Sequence, residues 1–292
     1  MIRPTASGIF VVIVGVMSTF NLFAMYAAQQ SCANTLVQLL SQEQITINIR
    51  DNLDREKLAW YSRILANQAP ALRIKVENIT DDNIKYLLSL CGKVYALNLS
   101  GNKLSYANTQ ALASSDTLKC LSSLILSKSC IGSPGVTVIA GSLNLNSLSV
   151  LDLSKNDIGD SGAMVIANSK NFINLKQLNL GANKISSEGV KKIAKSENLI
   201  NLSDLNLCNN DLDDEGAEEL AKTETLDKLC SLELCSCKIS DVGVLSIAFN
   251  GNLKNLKKFY FSGNGISSQT GSIVYRYFSI INGYTDWYPG NH

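Results

Sequence analysis

The stretch Cys230–Ser240 reads CSLELCSCKIS and places three of the chain's eight cysteines within eleven residues. Thiolates are metal ligands and redox nucleophiles, so this spacing raises two chemistries: a tetrahedral metal centre, or thiols that exchange with a disulfide. A metal centre needs four ligands converging on one point. Imidazole cannot complete the set, because the one histidine, His292, is the last residue of the chain. A Ser-His-Asp or Cys-His relay would have to borrow that same terminus. No GxxxxGK(S/T) loop occurs, and no GxGxxG follows a strand pattern. The sequence therefore offers no catalytic residues, no metal ligands and no cofactor motif, and it reads as non-enzymatic.

Charge excludes a further class. Lys plus Arg number 26 against 25 Asp plus Glu, a formal net charge of +1. Such a balance gives no electrostatic case for nucleic acid or an anionic membrane surface. With 46% hydrophobic residues in 292, the chain can bury a sizeable core.

Whatever the cysteines do, a repeat positions them. VYALNLSGNKL starts at Val94, LSSLILSKSCI at Leu121, LSVLDLSKNDI at Leu148 and LKQLNLGANKI at Leu175. LSDLNLCNNDL follows from Leu202, LCSLELCSCKI from Leu229 and LKKFYFSGNGI from Leu256, each start 27 residues after the last. The pattern is LxxLxLxxNxL. Its LxL core reads as a short strand with the leucines inward and their neighbours outward. Asn102, Asn156, Asn183, Asn210 and Asn264 share one column, with Ser129 and Cys237 filling it in the other two repeats. There an amide can satisfy backbone groups where the chain turns away from the strand.

The second half of each repeat reads as a helix. Gly135, Gly162, Gly189, Gly216 and Gly243 mark its start, with Asp160, Ser187, Asp214 and Asp241 as candidate N-caps. An alanine column, Ala113 through Ala248, implies close helix approach. ALRIKVENITDDNIKYLL, with Leu72, Ile74, Ile79, Ile84 and Leu88, reads as an irregular first repeat, since solenoids need atypical ends. SIVYRYFSIINGYTDWYPGNH, rich in aromatics, reads as the opposite cap.

The period of 27 with a full helix resembles the ribonuclease-inhibitor-like class of leucine-rich repeats, over about residues 72 to 275. The column that alternates Asn with Cys in that class is matched by Cys237. The resemblance implies an α/β fold, a curved leucine-rich repeat solenoid with parallel strands on the concave side and helices on the convex side. It implies a protein partner, usually on the concave face. The class also contains inhibitors and Ran GTPase-activating proteins, so a regulator of an enzyme is the alternative.

Returned to the repeat, the three cysteines separate. Cys235 should face the concave surface and Cys237 the interior, so they do not converge on a metal. Cys208 has the phase of Cys235 one repeat earlier, roughly 4.8 Å away at the backbone. Ordinary repeat positions and a reactive or disulfide-forming Cys208–Cys235 pair are the two readings left. Among the outward strand positions Asp152, Asn179, Asp204, Asn206, Glu233 and Tyr260 are the partner-binding candidates, forming a polar face of mixed charge.

Ahead of the repeat, Arg3 is the last charge before Glu43, and residues 9–28 are mostly apolar. Twenty helical residues span roughly 30 Å, one hydrocarbon core. The expected organisation is a transmembrane anchor or signal peptide over 1–29 and a helical linker and N-terminal cap over 30–71. The repeat domain then covers 72–275, and a C-terminal cap and tail 276–292. Within the linker, residues 51–68 read as an amphipathic helix. Arg3 before the apolar run orients the later domain outside the cytosol, membrane-anchored or secreted. The Asn, Lys, Ile and Ser bias is that of a low-GC genome, which extends the reading to an effector or surface protein of a host-associated microbe.

Overall fold

The computed structural model describes residues 11–13, 46–49, 72–77, 79–80, 84–90, 94–249 and 252–282. Its strands are β1 Val11–Ile13, β2 Thr46–Ile49, β3 Leu72–Val76, β4 Val94–Asn98, β5 Ser123–Ile125, β6 Val150–Asp152, β7 Gln177–Asn179, β8 Asp204–Asn206, β9 Ser231–Glu233 and β10 Lys258–Tyr260. They form one sheet in chain order, and every neighbouring pair is parallel. Between strands run helices α1 Ile84–Leu90, α2 Tyr106–Ala113, α3 Gly132–Ala140, α4 Gly159–Asn168, α5 Ser187–Ala194, α6 Asp213–Ala221, α7 Asp241–Phe249 and α8 Ser268–Asn282. This is an α/β repeat solenoid.

The register follows the sequence period. Leu97 lies opposite Leu124, then Leu151, Leu178, Leu205, Leu232 and Phe259 in turn. All are buried with the second leucine of each LxL pair and the apolar helix residues, in one continuous core. Strands repeat at about 4.8 Å, whereas packed helices need about 8–10 Å. A stack of both must therefore bend, with the strands on the inside.

The asparagine amides close each strand onto the next turn. Asn183 is fully buried; its Nδ2 donates to Leu153 O at 2.9 Å and Leu180 O at 3.0 Å, while its Oδ1 accepts from Asn156 N at 2.8 Å. Asn210 repeats this one repeat later, donating to Leu180 O and Leu207 O and accepting from Asn183 N at 2.9 Å. Asn102 reaches back to Val76 O at 2.8 Å and accepts from Ile79 N, joining the irregular first repeat to the regular ones. Where Ser129 and Cys237 stand in the column, their Oγ and Sγ reach Leu99 O and Leu207 O at 3.1 and 3.2 Å, and Asn156 and Asn264 Oδ1 accept from their backbone N–H groups.

A second polar column escaped the sequence reading. Ser169, Ser196 and Thr223, all buried, donate at 2.6 Å to the carbonyls of Ala140, Ala167 and Ala194 respectively, at the C-terminal ends of helices in the preceding repeat. They satisfy helix C-terminal carbonyls that have no partner within the helix.

The helix N-termini correct the expected caps. Asp160 and Asp214 lie inside the first turns of α4 and α6, whose N-caps are Ile158 and Leu212; Ser187 and Asp241 are first residues of α5 and α7. The two aspartates act across the repeat. Asp160 Oδ1 accepts from Ser186 N at 2.7 Å, and Asp214 Oδ1 from Ser240 N at 2.8 Å and Gly243 N at 3.1 Å. A carboxylate there also faces the positive end of the helix dipole. Glycine at 243 makes room for it, because a Cβ would lie 2.6 Å from Asp214 Oδ1.

The chain's two ends depart from expectation. Val11–Ile13 are extended and pair with Thr46–Asn48, which in turn pair with Arg73–Lys75. The apolar helix expected over residues 9–28 is therefore not formed at these three positions, which are β-branched residues of high strand propensity. The rest of that segment, and the amphipathic helix expected over 51–68, lie outside the described residues. The ladder of strands thus begins ahead of residue 72. Among the described residues no helix is long and apolar enough to cross a membrane. At the other end α8 runs through residue 275 to Asn282, because Val274 is buried and Phe278 packs 6.0 Å from Phe259, ring centre to ring centre.

Replacing Asn183 with Ala strands buried backbone groups in two adjacent repeats. The expected loss is about 2–4 kcal/mol of unfolding free energy, measured by urea titration. A loss within about 0.5 kcal/mol, the range of an ordinary surface change, would show that the amide column is not what joins the repeats.

Candidate functional site

The outward strand positions form the concave face, and the candidates on it divide into two groups. Asp152, Asn179 and Asn206 bend back on their own strands. Their Oδ1 atoms accept from the N–H two residues on, at Ser154 (2.8 Å), Gly181 (3.0 Å) and Cys208 (2.9 Å). Asn98 does the same with Ser100 at 2.9 Å. These are Asx turns that end the strands. Their remaining polar atoms pair across strands: Asn179 Nδ2 donates to Asp152 Oδ2 at 3.2 Å, and Asn206 Nδ2 to Glu233 Oε2 at 2.6 Å.

Asp204, Glu233 and Tyr260 form the second group, toward the C-terminal end. Asp204 Oδ2 accepts from Ser203 Oγ at 2.6 Å, and Tyr260 is 45% exposed. Exposed Gln177 and Lys258 flank them on β7 and β10. Nothing in the sequence distinguished these two from the other outward residues. Burial, and then the negative charge of Asp204, push the Glu233 carboxyl above its ordinary range. Its folded form therefore holds a proton more tightly than the unfolded chain does. The stability it contributes is fully present below the ordinary glutamate midpoint and is lost as pH rises through the raised one.

Beside Glu233 lie the thiols. Cys235 N donates to Cys208 Sγ at 3.1 Å, and Ser262 Oγ donates to Cys235 Sγ at 3.2 Å. Cys208 Sγ stands 4.0 Å from Glu233 Oε2. The neighbouring Cys208, with Ser262 and against burial, lowers Cys235 to about 6. The neighbouring Cys235, and then burial, raise Cys208. Cys237 faces the core, fully buried, and burial pushes it up to about 11. The three cysteines of the opening stretch thus have separate surroundings. Among the described residues no group of three or more His, Cys, Asp or Glu side chains is placed to hold a metal ion.

The strand backbone itself is spent. Beyond the short strands, Leu207 N donates to Glu233 O at 2.9 Å, Asn209 N to Cys235 O at 2.8 Å and Leu234 N to Tyr260 O at 2.7 Å. Between β8 and β10 the backbone is thus paired, and β10 is the edge of the sheet.

Comparison with known proteins agrees with the repeat. A leucine-rich repeat family model matches residues 144–167, 173–194 and 198–221. No curated protein matches the chain. Among solved structures, a chain from the crystal structure of the yeast Rad7 and Elc1 complex is 14% identical, with a TM-score of 0.43, covering 89% of this chain and 81% of that one. An internalin (inlF) from Listeria monocytogenes is 23% identical, with a TM-score of 0.35, covering 70% of this chain and 65% of that one. The chain contains leucine-rich repeats, and domains built from them generally mediate protein–protein interaction.

Removing the Asp204 charge tests the electrostatics of the face. In Asp204→Asn the Glu233 midpoint, followed by NMR of the side-chain carboxyl, should fall yet stay above the ordinary glutamate range, since burial is its larger cause. An unmoved midpoint would place Asp204 outside the field of Glu233.

Proposed function

We propose that the chain is a non-enzymatic protein-binding module that holds its partner on the concave face between β8 and β10. The observation that carries this reading is the division among the outward residues. Asp152, Asn179 and Asn206 have their Oδ1 atoms in the strand-ending turns, whereas Lys258 and Tyr260 are exposed and the carboxylates of partly exposed Asp204 and Glu233 bond only neighbouring side chains. Two carboxylates beside an exposed tyrosine suit a partner segment carrying Lys or Arg next to an apolar side chain. Tyrosine supplies contact area at small entropic cost and is a frequent interface hot spot. The repeat length and the helix in each regular repeat support the ribonuclease-inhibitor-like subtype within this reading.

The test is capture of proteins from the chain's own source on immobilised full-length protein. Asp204→Arg combined with Tyr260→Ala should weaken capture of the bound protein by about 30-fold or more, the scale of one interface hot spot, with thermal unfolding unchanged. Lys170→Glu, on the helical side, should leave capture as it was. Equal capture by the concave variant would remove this face from the binding surface.

Delivery across a membrane rests on the uncharged run of residues 9–28 alone, and three of those residues are paired into the sheet. That pairing favours retention of the segment. Peptide mapping of protein from its native source should therefore recover residues 9–28 joined to the rest of the chain. A chain cut near residue 18 or 28 would identify the segment as a cleaved export signal.

A further inference from the structure

We propose that the sheet edge at β10 takes an extended, acidic segment of a partner protein, which pairs with it as a further strand. The inner strands define what this edge lacks. Leu207 N donates to Glu233 O and Leu234 N to Tyr260 O, while Asn209 N donates to Cys235 O and Ser236 N to Ser262 O. The equivalent donors one repeat on are the N–H groups of Phe261 and Gly263, and β10 is the last strand of the sheet. Gly263 shares the left-handed conformation of Ser236, with φ of +71° against +54°, so its N–H leaves the chain in the same sense. Among the described residues neither Phe261 N nor Gly263 N has an acceptor. Side chains mark the same edge. Phe259 and Phe261 are 6% and 9% exposed, whereas the leucines of these two columns in β4 to β9 and the residues after them are at most 2% exposed.

Charge complementarity selects the occupant. Between Asp241 and Asp286 the chain carries Lys254, Lys257, Lys258 and Arg276 and no acidic residue. All four basic side chains are exposed. In the inner repeats lysines meet carboxylates of a neighbouring repeat, as in Lys184–Asp157 at 2.7 Å and Lys238–Asp211 at 2.6 Å. The last repeat has no following repeat to supply such partners. Lysines on an edge disfavour pairing with a second, equally basic copy, and they attract a segment of opposite charge. Along β10, Lys258 and Tyr260 project to the concave side, while Phe259 and Phe261 point into the core. A matching strand therefore alternates, with carboxylates beside Lys258 and apolar side chains beside the two phenylalanines. This edge is separate from the Asp204 and Glu233 patch, and pairing along it does not depend on what that patch binds.

Amide hydrogen exchange of the full-length chain, read residue by residue by NMR, tests the proposal. The probe is a synthetic peptide of alternating Glu and Val, with a peptide of alternating Lys and Val as its control. The Phe261 and Gly263 amides should exchange quickly in the chain alone and slow on addition of the acidic peptide. Titration of that slowing gives the peptide's Kd. Lys254→Glu combined with Lys258→Glu should raise this Kd by about tenfold, since two attractive cross-strand pairs become repulsive. Thermal unfolding should be unchanged, because both lysines are exposed. The proposal falls if the acidic peptide leaves the two amides fast, if the basic peptide slows them equally, or if the charge-reversed variant binds as tightly. Amides already slow in the chain alone would reveal an edge that is closed or paired with a second copy, and would overturn it too. Capture on the concave face is read through Asp204 and Tyr260 side chains and not through these amides, so the two results are separable.

Discussion

The repeat depends on the side-chain amide at the end of each strand. A parallel strand of three residues cannot turn away from its sheet without leaving carbonyl and N–H groups unpaired, and in the interior each such group is costly. Asparagine carries both a donor and an acceptor, so one side chain serves the carbonyls of two repeats and an N–H of the preceding one. Serine and cysteine can supply the donor, and at Ser129 and Cys237 the neighbouring Asn156 and Asn264 supply the acceptor. The column is therefore cooperative: each position relies on the next.

The same borrowing recurs at the helices. Asp160 and Asp214 serve the start of the helix in the following repeat, while Ser169, Ser196 and Thr223 satisfy the end of the helix in the preceding one. No repeat has all its polar groups paired until both neighbours are present. The ends of the stack, which lack one neighbour, therefore need different chemistry. At the C-terminal end an aromatic cluster of Phe259, Phe261 and Phe278 closes the core in place of another leucine layer.

Polar self-sufficiency also shapes the concave face. Inside the sheet the backbone is committed to its own ladder, and Asp152, Asn179 and Asn206 are tied into strand-ending turns and cross-strand pairs. Near β8–β10 acidic groups, a tyrosine and a thiol pair lie together.

The sequence alone determined the regular part of the fold. A period of 27 dictates which residues lie opposite one another, so the strand registers, the buried LxL pairs and the phase of Cys208 and Cys235 follow from counting. It did not determine the ends, because Val11–Ile13 and Thr46–Ile49 are too short and too plain to mark a strand unless a sheet edge is there to receive them. Nor did it reveal which polar side chains are free to meet a partner. Asp152 and Asp204 look alike in sequence, yet only the tertiary structure decides that one oxygen of Asp152 holds its own strand end. The thiols follow the same rule: their proximity came from the repeat, but only the packing shows Ser262 Oγ donating to Cys235 Sγ and Cys235 N donating to Cys208 Sγ.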